Sequence, residues 1–202
     1  MENKSLLILV GPSAVGKTTV ADEIISRGGF SLIRSLTTRA PRGDGHDDEY
    51  IYTDRESFLR EISRGGVLEH TEYVGTLYGT PKSEIDRVHS EGNIPLLILD
   101  INGAESLMLS GGELKPCIIY LTEDERVLRE RLAARYLSGD TSDPEKYESR
   151  MARNAWEREN LESLSHLFYR IVKGDKTPAL TADSVLSAFK DFTENSEKCK
   201  LK

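Results

Sequence analysis

The sequence predicts an α/β fold: a parallel sheet flanked by helices, with an inserted mixed α+β region and a helical lid. Three observations carry that expectation. Ser5-Leu6-Leu7-Ile8-Leu9-Val10, Leu96-Leu97-Ile98-Leu99 and Cys117-Ile118-Ile119-Tyr120-Leu121 are near-continuous apolar runs of strand length, as strands buried on both faces require. Segments of helical period separate them, the punctuation of βαβ units. From residue 35 to 90 the texture turns polar and irregular, which marks an excursion from that core.

In order, strand Ser5–Val10 is interrupted by glycines, and a helix follows from Lys17 to Arg27 with Val20, Ile24 and Ile25 at helical spacing. Gly28-Gly29 ends it, and Phe30 to Ile33 forms the second strand. Residues 35–49 show no period. Tyr50-Ile51-Tyr52 reads as a short strand, and Thr53-Asp54-Arg55-Glu56 as a capping box opening a helix to about Arg64. Val67 to Val74 alternates as a strand, Gly75 turns it, and Thr80-Pro81 starts another helix. The apolar strand from Leu96 ends in a carboxylate, Asp100. After the strand at Cys117, Thr122-Glu123-Asp124-Glu125 opens a helix to about Tyr136, and residues 137–144 (LSGDTSDP) form a breaker-rich loop. A charged helix from Glu145 to about Ser163, a strand from Phe168 to Val172 and a helix from Ala182 to Phe192 complete the chain, with a polar, frayed tail at 193–202. The expected organisation is therefore a core of 1–34, 91–132 and 156–192, an acceptor-binding region at 35–90, a lid at 133–155 and the tail.

Composition narrows the function classes. With 202 residues, 38% hydrophobic and 30% charged, the chain can bury a core and is not disordered. A net charge of −7 argues against a broad basic surface that grips nucleic acid. Cys117 and Cys199 have no ligand or disulfide spacing, which suits a reducing compartment. The apolar run near the N-terminus is too short for a signal peptide, and no run approaches membrane-spanning length. The expectation is a cytoplasmic protein, monomer or homodimer, with no nucleic-acid or membrane partner.

Gly11-Pro12-Ser13-Ala14-Val15-Gly16-Lys17-Thr18 matches G-x-x-x-x-G-K-[ST], between a buried strand and a helix. Such a loop aims backbone N–H groups at a phosphate beside the positive end of the helix. Gly11 to Thr19 are thus the candidate ATP-binding residues of a P-loop NTPase-type core, with Lys17 bridging the β- and γ-phosphates. Thr18 and Asp100 are the candidate Mg²⁺ ligands. A strand-ending Asp100 that caps the following turn is the alternative, and the metal-ligand reading is the one favoured because a phosphate loop needs a metal partner.

Ser35-Leu36-Thr37-Thr38-Arg39-Ala40-Pro41-Arg42 sets two arginines three apart, the second behind a stiffening proline, so their planar forks can converge on one phosphate. Together with Glu49-Tyr50-Ile51-Tyr52, Val67-Leu68-Glu69-His70, Leu77-Tyr78-Gly79-Thr80 and Leu96 to Ile101, these motifs resemble the guanylate kinase family, which moves a phosphoryl group from ATP to GMP. The likeness runs from about residue 5 to 192. It implies that Ser35, Arg39, Arg42, Tyr50 and Tyr78 hold the GMP phosphate, that Glu69 and Thr80 face the guanine, and that Asn102 stands where the family has a base-contacting Asp. It also makes Arg131, Arg135 and Arg150 lid residues that, with Lys17 and Arg39, act on the transferring phosphoryl group. Guanine offers two adjacent donors that a carboxylate accepts as a pair, whereas adenine would set a bare acceptor against Glu69. Arg131 and Arg135, four apart, also suit a solvated helix face.

Several positions depart from the usual pattern. Ala14 replaces a glycine, which is tolerated if that backbone stays at negative φ. The stretch after Arg42 is shorter and more acidic, the lid loop is longer, and Lys173-Gly174-Asp175 replaces the Asn-Asp expected near the adenine. Two alternatives follow: a kinase of the same fold with another acceptor (a different nucleoside monophosphate or a ribose phosphate), or a non-catalytic phosphopeptide-binding domain of this fold.

Overall fold

The apolar run Ser5–Val10 forms β1, the central strand of a five-stranded sheet. Successive side chains of a strand point to opposite faces, and both faces here are covered. Leu7 and Leu9 pack with Val20 and Ile24 of helix α1 (Lys17–Ser26) and with Val185 and Phe189 of α8 (Pro178–Lys198). Leu6, Ile8 and Val10 pack with Ile85 and Val88 of α3 (Lys82–Ser90) and with Ala104 and Leu107 of α4 (Ile101–Ser110). No residue from Leu6 to Val10 is exposed, which is why the run shows no polar alternation.

The computed structural model describes residues 5–41, 47–73, 75–110, 115–137 and 144–198. Its main sheet is parallel throughout, in the order β2 (Phe30–Leu32), β7 (Ile94–Ile98), β1, β8 (Lys115–Thr122), β9 (Arg170–Lys173). A second, mixed sheet holds β4 (Tyr50–Tyr52), β3 (Ser35–Thr37), β6 (Thr76–Pro81) and β5 (Val67–Tyr73) in that order. There β3 and β4 run parallel and the other pairings are antiparallel. Phe58 of α2 (Arg55–Ser63) fills this sheet's own small core, between Leu36 and Leu77. The remaining helices are α5 (Glu125–Leu137), α6 (Pro144–Glu159) and the short α7 (Leu161–Leu164).

Four differences from the sequence expectations have physical causes. Strand β6 and helix α4 were not foreseen. Gly79-Thr80-Pro81 reads as a breaker, yet Pro81 both ends β6 and caps α3 in extended geometry (φ −68°, ψ 131°). Helix α4 carries Gly103 in its first turn, which lowers intrinsic propensity. Asp100 compensates as its cap, Oδ1 accepting the Gly103 N–H at 2.8 Å. The α2 cap is Asp54 rather than Thr53, its carboxylate accepting the Ser57 N–H at 2.8 Å. Finally, α8 runs from Pro178 to Lys198, so residues 193–198 continue a helix instead of fraying. The loop expected at 137–144 and residues 199–202 fall largely outside the described residues.

Candidate functional site

The loop after β1 is built around positive backbone angles. Gly11 has φ 151°, and a Cβ there would lie 2.4 Å from the Leu121 carbonyl oxygen, so only glycine fits. Ala14 sits at φ 66°, contrary to the expectation of a negative angle, and is the one non-glycine residue at positive φ among those described. An alanine there stores roughly 1 kcal/mol of strain. Gly16, at φ 103°, precedes α1 with no side-chain cap, so the first N–H groups of that helix remain available to an anion.

Lys17 reaches back along this loop, Nζ donating to the Gly11 carbonyl at 2.6 Å and the Pro12 carbonyl at 3.1 Å. The residue as a whole is half-buried, but its ammonium end is enclosed. That burial pushes it down to about 8, against the pull of Glu157 and Asp100.

A cleft of about 310 Å³ joins the loop to the second sheet. Gly11, Ser13 and Lys17 of the loop line it together with Ser35, Tyr50, Glu69 and Tyr78 of the second sheet, with Asp100 and Gly103, and with Arg150, Arg153 and Glu157 of α6. Glu69 is 5% exposed and accepts the Thr80 hydroxyl at 2.6 Å. Burial lifts its carboxyl to about 7, with the Thr80 hydrogen bond opposing and the nearby Asp100 charge adding. A Cβ placed on Gly103 would lie 3.4 Å from Asp100 Oδ1 and 3.5 Å from Glu69 Oε2, so these two carboxylates flank one point of the cleft.

Arg39 lies over the Tyr50 ring at 4.8 Å and the Tyr52 ring at 5.9 Å, with Nη2 donating to the Tyr52 hydroxyl at 3.3 Å. Its Nε and Nη1 are buried with no hydrogen-bond acceptor among the described residues. A buried guanidinium edge left open in this way calls for an anionic ligand. Arg42 lies outside the described residues.

The three arginines expected to serve as lid residues are divided between two cavities. Arg150 lines the cleft, whereas Arg131 and Arg135 line a second cavity of about 400 Å³ beside Gly16, Thr19, Gly174 and Asp175. Arg131 Nη1 donates to the Val15 carbonyl at 3.2 Å and its Nη2 lies 3.6 Å from Glu123. Thr18 sits in the first turn of α1, half-buried. Asn102 is not brought to the site: it is exposed on α4, because the Asp100 cap fixes the first turn with Gly103 facing Glu69. The carboxylate beside Glu69 is therefore Asp100.

Three residues of α6 were missed. Glu157 is 2% exposed, accepts the Tyr120 hydroxyl at 3.2 Å, and is pushed above the usual carboxylate range by burial. Arg153 lies 3.2 Å from Asp100 Oδ2. Asn154 grips the loop, Oδ1 accepting the Ser13 N–H at 2.8 Å and Nδ2 donating to the Ser13 carbonyl at 3.1 Å. Residues 150, 153, 154 and 157 share one face by helical period, a signal present in the sequence.

Asp100 and Thr18 suit Mg²⁺, which takes one or two protein oxygens and completes its shell with phosphate and water. Asp100 Oδ1 accepts the α4 cap bond and Oδ2 lies 3.2 Å from Arg153 Nη2, and each oxygen keeps a further lone pair for a cation.

The comparisons with known proteins agree with this geometry. The guanylate kinase family model matches residues 3–182. A guanylate kinase of Thermus thermophilus is 35% identical over 179 residues, spanning 88% of this chain and 77% of that protein. One of Streptococcus thermophilus is 35% identical over 188 residues, 91% and 85% of the two chains. The crystal structure of guanylate kinase from Anaplasma phagocytophilum superposes with a TM-score of 0.66 at 25% identity, covering 93% and 85%. With nearly the whole chain inside the family model and relatives above 30% identity aligned over most of both lengths, this chain belongs to the guanylate kinase family.

Proposed function

We propose that this chain transfers the γ-phosphoryl group of ATP to GMP, and to dGMP, giving ADP and GDP. The observation that carries the proposal is a single cleft lined both by the Lys17 loop and by the buried Glu69, whose carboxylate accepts the Thr80 hydroxyl. In this reading the loop N–H groups and Lys17 hold the ATP phosphates. Ser35, Tyr50, Tyr78 and the open edge of Arg39, together with Arg42, hold the GMP phosphate. Glu69 takes the paired N1–H and N2 amino donors of guanine, with Thr80 orienting its other oxygen.

The transfer needs no protein nucleophile. Its transition state spreads charge over equatorial oxygens, so placement and positive charge suffice. Arg150 supplies that charge from the lid within the cleft, and Arg131 and Arg135 support it from the loop side. Thr18 and Asp100 would hold Mg²⁺, which when bound with nucleotide neutralises phosphate charge and orients it for in-line transfer. The enclosed position of Lys17 and Glu157 favours exclusion of water that would hydrolyse ATP.

The alternative acceptors were suggested by Asn102 and the shortened loops; Asn102 is exposed and does not line the cleft. A coupled assay of ATP consumption with GMP, dGMP, AMP, CMP, UMP and ribose 1,5-bisphosphate tests the reading. GMP is expected to be the best acceptor, and turnover of GMP no better than of AMP would overturn it.

A further inference from the structure

Arg153 is a cation of the cleft to which no part of the transfer has been assigned. It projects from α6 beside Lys17, Asp100 and Arg150. Its Nε lies 3.4 Å from Glu157 Oε1, and its Nη2 lies 3.2 Å from Asp100 Oδ2. The second approach lacks hydrogen-bond geometry. Nη2 is thus a buried donor with no hydrogen-bond acceptor among the described residues. Leaving such a donor unmet is costly, and a guanidinium presents its N–H groups in a planar fork that matches phosphate oxygens.

Two further features fix this donor where a phosphate would sit. The neighbouring Asn154 clamps both backbone groups of Ser13, so the turn of α6 that carries Arg153 is tied to the phosphate loop itself. Positive charge also accumulates here, since Lys17, Arg150 and Arg153 line the same cleft. Glu157 offsets part of it, but burial holds that carboxyl toward neutrality. An anion between Lys17 and Arg153 would relieve both the repulsion and the unmet donor.

We propose that Arg153 is a further phosphate-binding residue of this site, its Nη2 edge taking oxygens of the γ-phosphoryl group that Lys17 also holds. The proposal rests on the phosphotransferase reading but not on the identity of the acceptor. In the transfer Arg153 would move charge stabilisation from Asp100 onto the phosphoryl oxygens, with no bond to the protein formed or broken.

Calorimetry of R153Q and R153K, without acceptor, tests it with Mg²⁺ and either ADP or the non-hydrolysable imido analogue of ATP. R153Q is expected to weaken the triphosphate analogue about 10-fold and ADP less than 2-fold, the selective loss of a charge-assisted contact to the γ-phosphate. In turnover it should lower kcat by roughly 10- to 100-fold. R153K keeps the charge without the fork, and about a 3-fold selective loss for the triphosphate analogue is expected. Equal weakening of ADP and the triphosphate analogue, or none, would overturn the proposal and leave Arg153 as a structural ion pair. Should R153Q fail to fold, R153K decides alone: wild-type affinity for the triphosphate analogue would overturn the proposal. Failure of wild-type protein to phosphorylate GMP would sink the acceptor reading without touching this comparison.

Discussion

Glu69→Gln is expected to make the nucleotide-free protein more stable at pH 8 while damaging recognition of GMP. Burial lifts the Glu69 carboxyl from 4.5 to about 7. Each unit corresponds to about 1.4 kcal/mol, so holding the ionised carboxylate in place at pH 8 costs on the order of 3 kcal/mol. The sign follows from the direction of the shift. A carboxyl whose folded value is raised favours the folded state below 4.5, and that contribution is lost as pH rises through about 7. Glutamine carries no charge to desolvate and keeps an oxygen for the Thr80 hydroxyl. After allowing for its amide protons, which also need partners, the gain at pH 8 should be about 1–3 kcal/mol and should nearly vanish at pH 5. For GMP the change is harmful. One of the two acceptors becomes a donor facing a guanine donor, a loss of about 3 kcal/mol or roughly 10²-fold in KM for GMP, with KM for ATP changed less than about 3-fold. Thermal unfolding at pH 5 and 8 and a coupled kinase assay read the two effects. A variant less stable than wild type at pH 8, or equal rises in both KM values, would refute the reasoning.

Two more outcomes follow from the loop. Ala14→Gly should remove the left-handed alanine and stabilise the protein by about 0.5–1 kcal/mol, the steric relief exceeding the added freedom of the unfolded chain; a lower Tm than wild type would contradict this. Lys17, pushed down to about 8, loses its charge in the nucleotide-free protein as pH rises through that value. Calorimetric affinity for ATP with Mg²⁺ should therefore fall above pH 8, approaching tenfold per pH unit, and the dependence should disappear in Lys17→Met. A flat profile in the wild type would show that the ammonium is not desolvated there.

What the sequence determined by itself was whatever is written in short spans. The apolar strands, the glycine–lysine loop, and the segment from Ser35 to Arg39 are local patterns whose chemistry follows from residue type and spacing. They were enough to identify the fold class and the family resemblance. Tertiary structure alone decided which side chains converge. Asn102 and Asp100 are two residues apart, yet the cap on α4 turns Asp100 to Glu69 and leaves Asn102 in solvent. Ser13 and Asn154 are 141 positions apart, and nothing near either predicts their contact. Ala14 keeps the residue type of an ordinary loop position while its backbone angle is set by the loop around it. Glu157 and Arg153 carry a helical period in the sequence, but their burial against Tyr120 and Asp100 depends on where α6 docks. Periodicity fixes which face of an element is apolar, whereas a charged residue's partner is fixed by packing between elements distant along the chain.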